Sequence, residues 1–293
     1  MQGQSIVGYE GPRTPNENEW EAAAELSRSI FFPQKSSWLE GFRTWPMALN
    51  KEYAESTFAM FHDGKPVSMT SRLERDFVVF GHRLRMGFIG GVCTHPEHRG
   101  KGLASTVLSA CMNRFHANNV DFVYISGTRQ LYYAAGANQI GSFTRLQLDV
   151  TALGGANYLP ASLRIASQED AELLSKLYES EPVRFMRPRS DYQLTIEHGH
   201  CSGKTCEFQI IERDGMPVGY LLVTKPKEKE GRLAQQVLEC CGERHAVVSA
   251  LSLLASNTPP NCDLYVEVSK GDLLCQLLSS LGVVGQPIRT SGT

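Results

Sequence analysis

The stretch that decides the fold is GFIGGVCTHPEHRGKGLA, residues 87–104. Its first part is an apolar run that predicts a β-strand ending near Cys93, and Pro96 stops that strand because proline lacks the N–H group of a sheet ladder. The residues that follow place apolar side chains at helical spacing, which predicts a helix with one wide buried face. These apolar residues are Leu103, Ala104, Val107, Leu108, Cys111, Met112 and Phe115.

The junction between strand and helix carries the chemistry. Gly100 and Gly102 allow a tight turn and a close approach of the backbone to a ligand. The first N–H groups of the new helix have no partner within the helix, and the helix dipole favours an anion there. Because Arg99 and Lys101 add positive charge, the junction predicts a ligand with a pyrophosphate group.

Two common phosphate-binding patterns do not fit this loop. The dinucleotide pattern Gly-x-Gly-x-x-Gly fails for lack of a third glycine, and the Walker A pattern fails because no Gly-Lys-Ser/Thr is present. The pattern that fits is Arg99-x-x-Gly102-x-Ala104. It resembles the Arg/Gln-x-x-Gly-x-Gly/Ala signature of the GNAT acetyltransferase superfamily, in which it holds the pyrophosphate of acetyl-CoA.

The resemblance implies a binding site for acetyl-CoA as co-substrate. In GNAT folds the pantetheine arm lies in a V between the fourth and fifth strands, and Gly90-Gly91 predicts a bulge that would open this V. The cofactor-binding residues that the resemblance implies are Val92, Cys93, Thr94, Arg99, Gly100, Lys101, Gly102, Leu103, Ala104 and Ser126.

The catalytic residues are expected close to this site. Tyr132 lies four residues before Gly136, as in the GNAT run Leu-Tyr-x-x-x-Gly, and is expected to act as general acid; its alternative role is packing on the sheet. Glu74, beyond the third strand, is the candidate general base, and a solvated hairpin charge is the alternative. Cys93 would permit an acetyl-cysteine route, but direct transfer needs no nucleophile.

The order of elements predicts an α/β (α+β) fold with two domains. Residues 1–152 read as a mixed, mostly antiparallel twisted sheet with flanking helices, and residues 139–150 are expected to be its last strand. The order strand, Asp-Gly turn, Pro-Val recurs at Asp63-Gly64 and Asp214-Gly215, which indicates an internal duplication. A linker is expected at residues 151–160, followed by a second domain at residues 160–293.

The second half departs from the binding pattern. Its expected fourth strand leads into Gly242-Glu243-Arg244-His245, which lacks the arginine-glycine signature, and Glu243 would repel a phosphate. We therefore expect a degenerate GNAT-like domain that binds no CoA. The tandem resembles the enhanced-intracellular-survival-like acetyltransferases, and we expect the likeness to stop short of their third, sterol-carrier-like domain, whose C-terminal carboxylate serves their active site.

Composition excludes several other classes. The net charge of −2 gives no basic field for nucleic acid or membrane, and no run of about 18 apolar residues is present. The eight cysteines form no C-x-x-C pair and suit a reducing, cytoplasmic compartment. The spacing of Cys201 and Cys206 with His198 and His200 matches no usual zinc pattern, so no metal is expected.

The leading hypothesis is an acetyl-CoA-dependent N-acetyltransferase that acts by direct attack of a primary amine from a small molecule or peptide. The alternative is a non-catalytic acyl-CoA-binding protein whose second domain binds a partner. The acceptor and the oligomeric state are left open by the sequence, because specificity is determined by loops.

Overall fold

The computed structural model describes residues 6–44, 55–154, 160–229 and 231–288, and its contacts divide the chain into a unit up to Asn138 and a unit from Gln139 onward. The first unit contains β1 (Glu10–Arg13), α1 (Glu17–Phe31), α2 (Trp38–Thr44), β2 (Thr57–His62), β3 (Lys65–Val79), β4 (His82–Thr94), α3 (Leu103–Ala117), β5 (Phe122–Ile125) and α4 (Gln130–Ala134). The second contains β6 (Phe143–Gln147), α5 (Val150–Leu153), β7 (Ser162–Ile165), α6 (Ala171–Tyr178), β8 (Val183–Phe185), α7 (Arg189–His198), β9 (His200–Cys201), β10 (Lys204–Arg213), β11 (Met216–Thr224), β12 (Lys227–Lys229), β13 (Arg232–Gly242), α8 (Arg244–Asn257), β14 (Cys262–Ser269), α9 (Leu273–Ser280) and β15 (Gly285–Ile288).

The sheet of the first unit has the order β1-β2-β3-β4-β5. Its pairs are antiparallel except for the parallel pair β4–β5. Successive side chains of a strand point to opposite faces. Phe61 accordingly packs with Ala23 and Leu26 of α1, whereas its neighbour Met60 packs with Leu103 and Val107 of α3.

Local sequence signals determine the turns that align these strands. Asp63 and Gly64 join β2 to β3 with φ angles of 49° and 72°, the left-handed pair that a tight hairpin requires. Asp214 and Gly215 repeat this geometry between β10 and β11, with φ angles of 52° and 74°. The same sequence pair thus makes the same turn in both units, as an internal duplication predicts.

The sheet of the second unit has the order β15-β6-β14-β13-β11-β10-β7. Its parallel pair is β13–β14, and the other pairs along this path are antiparallel. Helix α8 covers one face with a buried apolar surface that includes Val247, Leu251 and Leu254. Both units therefore have the expected class of fold, a mixed and mostly antiparallel sheet with flanking helices.

The expected domain boundary at residue 152 is shifted to residue 138. Strand β6 pairs with β14, where Val266 lies opposite Leu146, and with β15, where Pro287 lies opposite Thr144. It completes the second sheet instead of the first, because an exposed edge strand can pair with any strand that matches its hydrogen bonds. The first residues of the expected linker, 151–153, belong to helix α5, and residues 155–159 lie outside the described part of the chain.

Candidate active site

The N-terminus of α3 is open, in the sense that no side chain caps its first N–H groups. Gly100 and Gly102 have φ angles of +77° and +78°, a region that side-chain-bearing residues rarely adopt. Gly102 is the N-cap, so no side chain bonds the first N–H groups, and the first turn contains no acidic residue. This 15-residue helix therefore directs the positive end of its dipole at whatever lies in front of it.

Two cations flank this helix end. The Arg99 Nε donates a hydrogen bond of 3.2 Å to the carbonyl of Thr94, and the Lys101 Nζ donates one of 2.8 Å to the Tyr9 hydroxyl. Both cations are exposed. Among the described residues, neither has a carboxylate partner within ion-pair distance, so their charge is available to an external anion.

A cavity of about 450 Å³ lies at this helix end. Seven of the ten expected cofactor residues line it, and Val92, Lys101 and Ser126 do not. Five further lining residues are not among those that the sequence predicts. The seven are Cys93, Thr94, Arg99, Gly100, Gly102, Leu103 and Ala104, and the five are Ile30, His98, Ser105, Arg129 and Leu131.

Strands β4 and β5 separate next to this cavity. Their pairing ends where Ile89 lies opposite Ile125, whereas β4 continues to Thr94. The register of β3 and β4 shifts at Gly91, which has a φ of +63°, so the bulge expected at the glycine pair is present. The Arg129 Nη1 reaches across from the start of α4 and donates 3.1 Å to the carbonyl of Val92.

Tyr132 is buried beside the separated strands; it is not part of the cavity lining itself but follows Leu131, which is. It belongs to an apolar cluster with Ile89, Val92 and Leu108, and its ring lies against Gly127, where a Cβ would stand 3.0 Å from the ring. Burial raises the pKa of its hydroxyl above the ordinary value, and the opposing effect of Arg129 is smaller. The hydroxyl is therefore protonated at neutral pH, as a proton donor must be.

The expected base, Glu74, has a different environment. Its carboxylate accepts hydrogen bonds from Arg72 at 2.9 Å, Arg85 at 2.8 Å and Asn118 at 2.7 Å. It lies opposite Gly87, six residues before Cys93 and so about 20 Å back along the strand. Glu74 does not line the cavity, and its three donors hold it in a structural ion-pair cluster, so the geometry argues against its expected catalytic role.

Cys93 lines the cavity but is a poor nucleophile. Its side chain packs among Ala23, Leu26 and Met69, and burial raises the pKa of its thiol to about 12. Because the thiolate is the reactive form, this environment favours direct transfer over an acetyl-cysteine intermediate.

The remaining sequence candidates are occupied by local contacts. By composition, the aromatic stretch 37–46, which contains Trp38 and Trp45, could line a substrate mouth or pack on the sheet. Trp38 packs edge to face on Trp20 at 5.0 Å between ring centroids, which favours packing. Trp45 lies outside the described residues. His200 uses both ring nitrogens, one with the His198 carbonyl and one with the Thr205 hydroxyl, so it has none left for a metal.

In the second unit, the N-terminus of the equivalent helix α8 is closed, because a side chain caps its first N–H groups. The Glu243 side chain caps α8 by accepting hydrogen bonds from the N–H groups of His245 at 2.9 Å and Ala246 at 3.1 Å. It also pairs with Arg213 at 3.0 Å. A carboxylate thus occupies the position at which a phosphate would bind.

Comparisons with known proteins agree with this geometry. Residues 12–139 match the acetyltransferase (GNAT) domain family. The fold resembles that of a GCN5-related N-acetyltransferase from Anabaena variabilis, with a TM-score of 0.74 and 16% identity over 96% of this chain and 71% of the other. It also resembles a protein from Enterococcus faecalis described as a probable N-acyltransferase, with a TM-score of 0.73 and 15% identity over 94% of this chain and 69% of the other.

A third similar structure is that of Eis1 from Mycobacterium abscessus, with a TM-score of 0.63 and 12% identity over 96% of this chain and 71% of the other. No curated protein matches the sequence. The first unit therefore carries the match to an acetyltransferase (GNAT) domain, and this match supports an acyltransferase. None of the described helices is both long and apolar enough to cross a membrane.

Proposed function

We propose that the first unit transfers an acetyl group from acetyl-CoA to a primary amine of a small molecule or peptide. The observation that carries this proposal is the open, cation-flanked N-terminus of α3 at a cavity that reaches the end of β4, beyond the point where β4 and β5 separate. The pyrophosphate would bind the first-turn N–H groups with Arg99 and Lys101, and the pantetheine arm would enter between the strands.

The reaction needs a neutral amine, because an amine with a pKa of about 10 is mostly protonated at pH 7. The amine attacks the thioester carbonyl, a C–N bond forms, and the oxyanion is met by backbone N–H groups of β4 around Val92–Thr94. The C–S bond then breaks. Tyr132 donates its proton to the leaving thiolate, and the proton lost by the amine passes through water and restores Tyr132.

Water is the proposed acceptor of the amine proton. None of the described residues that line the cavity is a carboxylate, and Glu74 is held by Arg72, Arg85 and Asn118. The acceptor is proposed to be an amine because the Anabaena relative is by name an N-acetyltransferase. The second unit is proposed to support the first without binding CoA.

A thiol-release assay tests the proposal. The full chain is incubated with acetyl-CoA and a panel of primary amines that includes polyamines and peptides, and mass spectrometry identifies the acetylated product. We expect release of CoA that depends on one amine class. Binding of acetyl-CoA without turnover on any amine would instead support an acyl-CoA-binding protein.

A further inference from the structure

The turn between β4 and α3 brings three metal-ligand side chains together. His95, Glu97 and His98 each offer one ligand atom, and these atoms all lie within 4.8 Å of one another. The Nδ1 of His95 is 4.0 Å from the Glu97 carboxylate. The same Nδ1 is buried and has no hydrogen-bond partner among the described residues. A buried nitrogen without a partner is costly, and a ligand would remove that cost.

The backbone of the turn holds these side chains in place. The His95 N–H donates 2.8 Å to the Val67 carbonyl, which anchors the turn to β3, and the His98 N–H donates 2.9 Å to the His95 carbonyl. Pro96 fixes the backbone between them. The Tyr9 hydroxyl lies 2.9 Å from Nδ1 of His98 and sets the orientation of that ring. Hydrogen bonds of this kind orient histidines that bind metals.

We propose that His95, Glu97 and His98 form a binding site for a divalent transition metal such as Zn²⁺. Two imidazoles and one carboxylate suit such an ion, and three protein ligands leave one coordination position open. Ligands of a tetrahedral zinc site lie about 3.4 Å apart. The carboxylate of Glu97, 83% exposed, is free to rotate toward the two rings and close the remaining distance.

The proposal does not depend on acetyl transfer, because its test uses the metal alone. The full chain is freed of metal with a chelator and titrated with Co²⁺, whose visible absorption reports the coordination number. We expect one Co²⁺ per chain with the bands of a four-coordinate site, and Zn²⁺ should displace it. The spectrum should lack a thiolate charge-transfer band, which separates this site from the eight free cysteines.

Variants assign the ligands. His95→Gln and Glu97→Gln are each expected to weaken Co²⁺ binding by at least roughly tenfold, because removal of a ligand costs more than loss of an outer partner. His116→Gln, outside the turn, should bind as the wild type does. A titration without visible bands, bands with thiolate character, or unchanged affinity in Glu97→Gln would overturn the proposal. Glu97→Gln decides alone if His95→Gln fails to fold, since the Glu97 side chain is exposed.

Discussion

Helix α3 follows β4, which pairs in parallel with β5, and helix α8 follows β13, which pairs in parallel with β14. The two helices therefore occupy equivalent places in their units. They differ at the N-cap. Gly102 leaves the N–H groups of α3 open, whereas the Glu243 carboxylate bonds two N–H groups of α8. The N-cap residue thus decides whether the first N–H groups of the helix remain available to a ligand or are bonded within the chain.

The neighbouring cations show the same difference. Arg244, which follows the cap of α8, is bound by Glu181 at 2.7 Å and Asp272 at 2.9 Å. Arg99, in front of α3, donates to a backbone carbonyl. The next helices along the chain also differ. Helix α4, after β5, carries Tyr132, whereas α9, after β14, has the sequence LLCQLLSS, without tyrosine. The first unit thus has an open helix end, and the second has a helix end closed by its own side chains.

The largest effect is expected from Tyr132→Phe, which removes the proton donor that only the first unit has. We expect kcat to fall by about 100-fold or more while the affinity for acetyl-CoA is unchanged. Because burial raises the pKa of Tyr132 above its ordinary value of about 10, its protonation should not limit the rate between pH 7 and pH 9. Steady-state kinetics across this range, with Tyr133→Phe as control, would reject the assignment if kcat stayed at the wild-type value.

Gly102→Asp tests the comparison directly, because it places a carboxylate at the N-cap of α3, the position that Glu243 holds in α8. We expect acetyl-CoA to bind roughly 10- to 100-fold more weakly, as for loss of about 1.5–3 kcal/mol of charged hydrogen bonds. Gly102→Asn, which tolerates the left-handed backbone and carries no charge, should lose less. Equal losses in the two variants, measured as KM for acetyl-CoA, would show that strain and not charge is responsible.

Glu243→Ala opens the cap of α8. We expect the free energy of unfolding to fall by about 1 kcal/mol, the usual value of an N-cap, with no change in KM for acetyl-CoA. Burial disfavours ionisation of Glu243, but hydrogen bonds from His245 and Ala246 outweigh it and lower its pKa. The contribution is therefore present above the unfolded-state pKa of about 4.3 and lost as the pH falls through the lower folded-state value.

Chemical denaturation at neutral and acidic pH measures this effect, and Glu197→Gln, an exposed position in the same unit, is the control. A difference between Glu243→Ala and wild type that persisted at the lowest pH would contradict the role of the charged cap. A second acetyl-CoA site in the variant would contradict the view that Arg244 is already neutralised.

The smallest effect on catalysis is expected from Glu74→Gln. The side chain is bound by Arg72, Arg85 and Asn118 away from the cavity, so kcat should be unchanged while the melting temperature falls. Thermal unfolding and steady-state kinetics on the same preparation separate these outcomes. A large loss of kcat without loss of stability would restore Glu74 as the base.

Local chemistry explains what the sequence predicts well. The αL conformations of Gly100 and Gly102 follow from residues adjacent in the chain, as does the turn at Asp63 and Gly64. Each of these features depends on contacts within a few residues, which the order of residue types determines.

Long-range contacts explain what the sequence misses. The pattern of β6 indicates which face is buried but not which sheet edge it joins. Asn118 donates a hydrogen bond to Glu74, and Arg129 donates one to the carbonyl of Val92. In both cases only the fold brings the two residues together. The spacing of His95, Glu97 and His98 is visible in the sequence, but the burial of the His95 Nδ1 is not.

We propose above all that one chain binds one acetyl-CoA, at the N-terminus of α3. Isothermal titration of the full chain with acetyl-CoA tests it most directly, with Gly102→Asp and Glu243→Ala titrated beside the wild type. We expect a stoichiometry of one in the wild type and in Glu243→Ala, and strongly weakened binding in Gly102→Asp. Two sites in the wild type, or undiminished binding in Gly102→Asp, would contradict it.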